Sequence, residues 1–143
     1  MKSIAIATVV ILSTVAIFAQ NEPVIKAKHM ELPTYPRLAR FARLQGTVSV
    51  HLKVSQSGLV TSAEANASEQ VLRDHPLLQS ETLKVVRKWT FNCINCEMKT
   101  EYEHTLVFVY KLEGKETSSD ASTITIDMPD SVTITANPQE PLG

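Results

Sequence analysis

The chain has 143 residues, 43% of them hydrophobic and 20% charged, and a net charge of −1. That length supports one domain with a real core, and the composition is that of an ordinary globular protein. So small a net charge gives no reason to expect nucleic acid or an anionic membrane as partner.

After Met1-Lys2, residues 3–19 are apolar apart from Ser3, Thr8, Ser13 and Thr14, and the polar Gln20-Asn21-Glu22-Pro23 follows. A positive charge, an apolar run and a polar flank describe a secretory signal peptide cleaved after Ala19. Ile17 stands where a small residue is preferred. An uncleaved membrane anchor is the alternative, since about 17 residues is the short limit for a bilayer span. No Cys follows the run, which argues against a lipoprotein. Residues 20–32 are polar and read as a flexible lead-in.

Pro36 suits a first helical turn, where its missing N–H has no partner to lose. Leu38, Phe41 and Ala42, with Leu44 close by, are spaced for one buried helix face, and Gly46 ends that helix. Arg37, Arg40 and Arg43 also recur at helical spacing; a solvated helix face is the plain reading and an anion-binding patch the sharper one. Residues 47–54 then alternate, with Val48, Val50, Leu52 and Val54 on one side and Thr47, Ser49, His51 and Lys53 on the other. This predicts a half-buried strand with a wet face that includes His51. Gln56-Ser57-Gly58 is a hairpin turn in which Gly58 supplies positive φ, and Leu59 to Asn66 is the return strand.

A main helix is expected from Pro76 to about Lys88, its basic end at the C-terminus where it complements the helix dipole. Asp74 and His75 read as a charged capping pair; no nucleophile accompanies them as a catalytic dyad would need. Trp89-Thr90-Phe91 starts a third strand and places Trp89 and Phe91 in the core. His104 to Leu112 is the strongest strand, with Leu106, Phe108, Tyr110 and Leu112 on one face and Val107 and Val109 on the other. That pattern suits a central strand or one covered by a partner.

Cys93-Ile94-Asn95-Cys96 has the spacing of redox and zinc motifs. A redox reading needs a helix start, and Glu97 to Glu103 offers none. A zinc reading needs two more ligands, and His104 is the one candidate nearby. The plain reading is a local disulfide between Cys93 and Cys96 in an oxidising compartment. Residues 115–122 form a polar linker, 123–135 two short strands around Pro129-Asp130, and 136–143 a disordered tail. There is no Gly-rich phosphate loop, no Ser/His/Asp context and no metal-ligand cluster, so no enzyme activity, cofactor or metal is expected.

Several of these motifs occur in a fixed order. Tyr35-Pro36-Arg37-Leu38-Ala39-Arg40 precedes Gly46-Thr47-Val48-Ser49-Val50-His51-Leu52-Lys53-Val54, then Ser55-Gln56-Ser57-Gly58 and Leu59-Val60-Thr61, and finally Arg87-Lys88-Trp89-Thr90-Phe91. The order and spacing resemble the C-terminal domain of TonB, over roughly residues 33–112, within a domain expected at 33–114. The resemblance implies an α+β fold, a small antiparallel sheet with helices packed on one face, here with a C-terminal β extension. It implies a periplasmic, non-enzymatic module that binds an extended peptide of an outer-membrane transporter by β-strand addition. The edge implied is the strand carrying Thr105, Val107, Val109 and Lys111, unless the two C-terminal strands pair there. About 13 residues separate the apolar run from Pro33, a reach of roughly 45 Å when fully extended, short of the arm such energy transducers use. The sequence is compatible with three functions: an exported interaction module with a transporter or another envelope protein as partner, a membrane-anchored transducer component, and a thiol-disulfide or metal-binding protein using Cys93 and Cys96. A homodimer through sheet edges is a fourth.

Overall fold

The computed structural model describes residues 22–127 and 130–141. The signal-or-anchor segment at residues 1–19 and the last two residues of the tail lie outside them. Among the described residues, no helix is long and apolar enough to cross a membrane.

Seven strands and three helices follow in the order β1 (Val24–His29), α1 (Arg37–Phe41), β2 (Gly46–Ser55), β3 (Val60–Ala67), α2 (Gln70–Asp74), α3 (Leu77–Val86), β4 (Thr90–Ile94), β5 (Glu101–Leu112), β6 (Ser122–Asp127) and β7 (Ser131–Ala136). Five of the strands form one mixed sheet in the order β3-β2-β5-β7-β6. β3, β2 and β5 are antiparallel neighbours, β7 runs parallel to β5, and β6 returns antiparallel along β7. The architecture is α+β, and the C-terminal strands extend the sheet itself.

Alternation along β2 works as the residue types require. Val48, Val50, Leu52 and Val54 are fully buried, and Leu106, Phe108 and Tyr110 of β5 join them. α3 closes that face with Leu78, Val85 and Val86, and Tyr110 bonds Thr82 Oγ1 through its hydroxyl at 2.6 Å. Tyr35 meets Tyr110 edge to face at 5.3 Å between centroids and donates its hydroxyl to the Leu44 carbonyl at 2.6 Å. Val107 and Val109 stand half-buried on the other face because β5 is a central strand.

The lead-in differs from its reading as a flexible segment. Val24–His29 is a strand that pairs antiparallel with β4, from Val24 opposite Ile94 to His29 opposite Thr90. Ile25 and Ala27 face the core while Lys26 and Lys28 face water, so the alternation is real but too weakly apolar to stand out. Glu31 fastens the end of the segment: its carbonyl accepts from Trp89 Nε1 at 2.7 Å and its carboxylate pairs with Lys88 at 3.2 Å. β4 is therefore not a strand of the main sheet; it forms a separate two-stranded sheet with β1. Trp89 and Phe91 are in the core as expected, with Trp89 packed on both Phe91 and Phe108.

α1 reverses the expected faces. Leu38 is 68% exposed and Phe41 50%, whereas Ala39 is buried and Arg40 is 1% exposed. The helix ends at Phe41, and Arg43, whose φ of 58° lies in the left-handed region usually given to glycine, turns the chain before Gly46 is reached. Asp74 and His75 do not cap α3: Asp74 accepts from Gln70 at 2.7 Å, and α3 starts at Leu77 after Pro76, with no side-chain cap.

Candidate strand-addition edge

β5 is twelve residues long and pairs with the whole of β2, from Glu101 opposite Ser55 to Tyr110 opposite Gly46, without a bulge. On its other side β7 covers only Val107 to Leu112. The N–H of Val107 donates to the Asp130 carbonyl at 2.8 Å and that of Glu113 to the Ala136 carbonyl at 2.9 Å. Backbone groups of successive strand residues point to opposite sides. The odd-numbered residues of β5 therefore direct N–H and C=O toward β7, and the even-numbered ones toward β2.

Thr105, Val107, Val109 and Lys111, read from sequence as an edge, are all odd-numbered. Val107, Val109 and Lys111 are not at an edge, because they are paired with Ser131, Thr133 and Thr135. The correction has a simple cause. The hairpin of β6 and β7 lays its second strand in the place where a partner would go. Glu101, Glu103 and Thr105 face the same side but have no strand opposite them among the described residues.

The open stretch has defined ends. At the β7 end, His104 Nε2 stands 3.0 Å from Asp130 Oδ1, and the His104 ring packs edge-on against Phe91. At the other end lies the loop from Asn95 to Thr100. The backbone N–H of Lys99 donates to the Tyr102 hydroxyl at 3.0 Å, and Gln56 Nε2 donates to the Lys99 carbonyl at 2.7 Å. Cys93 and Cys96 are bonded to one another, which secures the loop where β4 ends and removes both sulfurs from metal ligation. His104 is engaged by Asp130 rather than by the cysteines, and no group of three or more His, Cys, Asp or Glu could hold a metal among the described residues. On the wet face, His51 Nδ1 lies 3.3 Å from Thr105 Oγ1 and its Nε2 3.6 Å from Glu103.

Two arginines of the α1 region hold the C-terminal segment to the domain. Arg40 Nε donates to the Asn137 carbonyl at 2.8 Å and Nη2 to the Ser119 carbonyl at 2.6 Å, and Nη1 reaches Asp120 at 3.5 Å. Arg43 donates to the Arg40 and Gln139 carbonyls and pairs with Glu116. Neither the solvated-face reading nor the anion-patch reading of this triplet describes Arg40, which is buried against backbone carbonyls. The residues after 136 are not wholly a disordered tail, since Gln139 is 2% exposed and bridges to Thr117. No local signal in the sequence marks these contacts, which span 79 to 97 residues.

Burial raises both core phenols above their ordinary range. For Tyr35 the neighbouring Tyr110 adds to the rise and Arg40 opposes it; for Tyr110 the bond with Thr82 opposes it and Glu81 adds to it. Slight desolvation would raise the Glu69 carboxyl, but bonds from its own backbone N–H, the Ser68 hydroxyl and the Thr47 N–H, with Arg73 nearby, leave it below its usual range.

Among solved structures, the chain is similar to the TonB C-terminal domain of Pseudomonas aeruginosa determined by solution NMR, at 24% identity and a TM-score of 0.46, covering 64% of this chain and 90% of that one. No curated protein matches it. The profile of the Gram-negative bacterial TonB protein C-terminal family matches residues 31–112, which is β1's exit through the end of β5. The chain belongs to the TonB C-terminal family, whose members are protein-interaction domains.

Proposed function

We propose that this chain is an exported, non-enzymatic interaction module of the envelope, whose sheet takes an extended segment of another envelope protein along β5. An outer-membrane transporter is the partner class that the family suggests. The observation that carries this reading is the half-filled second side of β5. β7 runs parallel to Val107–Leu112, so that side is compatible with an added strand, while Glu101, Glu103 and Thr105 have none opposite them. Strand addition works through backbone N–H and C=O groups, which needs no side-chain motif at the site. A partner strand there lies end to end with β7 and stops at the His104–Asp130 pair.

Proline at Glu103 tests this. The Glu103 N–H points away from β2, so Glu103→Pro removes a donor from the open side and leaves the β2–β5 ladder whole. Amide-resolved binding of peptides from extended segments of outer-membrane transporters should protect Glu103 and Thr105 in the parent chain. Binding should weaken at least tenfold in the variant. Equal binding by the variant, or protection confined to other strands, would reject the β5 site.

A further inference from the structure

A second set of backbone groups stands unpaired at the outer strand of the sheet. Since the Asp130 and Ala136 carbonyls accept from β5, the even-numbered residues of β7 point toward β5, and Ser131, Thr133 and Thr135 toward β6. Their partners across the hairpin are Asp127, Thr125 and Thr123. The N–H and C=O of Ser122, Ile124 and Ile126 therefore project outward, and no described strand meets them.

Natural sheets protect such edges with charges, proline, bulges or coverage. The opposite edge, β3, carries Glu64, has a register shift against β2 near Lys53, and leads from a bridge between Leu59 and Thr90. β6 has only a charge at its last residue, Asp127. It pairs with β7 in unbroken register from Ser122 to Asp127, holds no charge before Asp127, and leaves Ile126 37% exposed.

We propose that β6 pairs antiparallel with β6 of a second copy of this chain, about a two-fold axis at Ile124. Residues directly opposite in an antiparallel pair share a face, so only registers of matching parity keep both faces consistent. Centring on Ile124 places it against its symmetry mate, Thr123 against Thr125 and Ser122 against Ile126. The outward residues then form about six backbone hydrogen bonds, since each such pair exchanges two. Asp127 falls opposite Ala121, so no carboxylates meet. Charge does not oppose a second copy here. The open side of β5 is flanked by Glu101 and Glu103, which suits discrimination among charged peptides, whereas Ser122–Ile126 is uncharged and complements itself. The contact is isologous and closes, joining two five-stranded sheets into one with no new edge. A contact confined to one short strand per copy falls below the roughly 1,200 Å² of a stable interface, so the dimer is weak and concentration-dependent.

Sedimentation velocity of the full chain across a concentration series tests this, beside Ile126→Pro, which removes an outward donor but none of the β6–β7 bonds. The parent should move from monomer to dimer as concentration rises, and the variant should stay monomeric. A parent that remains monomeric to millimolar concentration would overturn the proposal, as would equal dimerisation by the variant. A second chain carrying Thr123→Cys and Thr125→Cys reads the register without proline. Those positions are non-hydrogen-bonded neighbours across the two-fold, close enough for disulfides. Mild oxidation should give a covalent dimer, and monomer alone would overturn the pairing. Neither readout depends on peptide binding at β5.

Discussion

Arg40 shows how much one side chain can settle. Its guanidinium is buried, yet its nearest carboxylate, Asp120, is mostly exposed, so backbone carbonyls of Ser119 and Asn137 supply most of its contacts. Replacing it by Ala leaves those carbonyls without their donor. Arg40→Ala should lower stability by about 2 kcal/mol in urea unfolding. It should also speed hydrogen exchange in β7 more than in β2. The phenols make a second prediction. Tyr35 and Tyr110 have raised pKa values in the folded chain, so the folded state holds their protons more tightly than the unfolded state does. Below about pH 10 both states keep the protons and stability is complete; above it the unfolded chain releases them first and stability falls. Urea midpoints should therefore drop above about pH 10, and Tyr35→Phe with Tyr110→Phe should flatten that fall. The sequence identified neither role. A helical spacing says which residues share a face but not which way the face turns, and the carbonyls that draw Arg40 inward come from the far end of the chain.

Elements with strong alternation were legible: β2, β5 and the core positions of Trp89 and Phe91 need only period-two patterning and bulk. β1 and α1 were not. β1 has just Ile25 and Ala27 to bury, and it becomes a strand because β4 offers it a ladder. α1 exposes Leu38 and Phe41 around a small apolar hollow shared with Arg37 and Gln139, since the contacts of Arg40 and Arg43 fix its rotation. The turn before β3 was foreseen at Gly58, whose φ is 86°. The structure adds a reason beyond φ: a Cβ there would collide with the Phe91 carbonyl oxygen, while Phe91 N–H donates to the Gly58 carbonyl at 2.8 Å. Gly58→Ala should cost about 3 kcal/mol or more by thermal or urea unfolding, well above an ordinary surface change.

At the scale of the molecule, family and α+β class were legible because motif order survives weak single motifs. The occupancy of β5 was not, because strand partners are chosen by backbone geometry and two short Thr/Ile strands could dock on any edge or none. Location is decided by chemistry outside the described residues. If residues 1–19 are removed on export, intact mass measurement of the protein from the envelope should give an N-terminus at or near Gln20; retention of Met1 or Lys2 would instead mean an anchored chain. In either form Val24 already belongs to β1, so little free chain remains between residue 19 and the folded domain.

The parallel pairing of β5 with β7 also bears on the order of assembly. β7 follows β6 in the chain, yet it sits between β5 and β6, so β6 has no place in the sheet until β7 has emerged. A chain crossing a membrane from its N-terminus can close β3, β2 and β5 while residues 113–141 are still in transit. During that interval the entire second side of β5, from Glu101 to Leu112, is bare. A chain exported as proposed above passes through a form with twice the open backbone of the finished one, and a protein that captures strands early meets a longer template than one that arrives late.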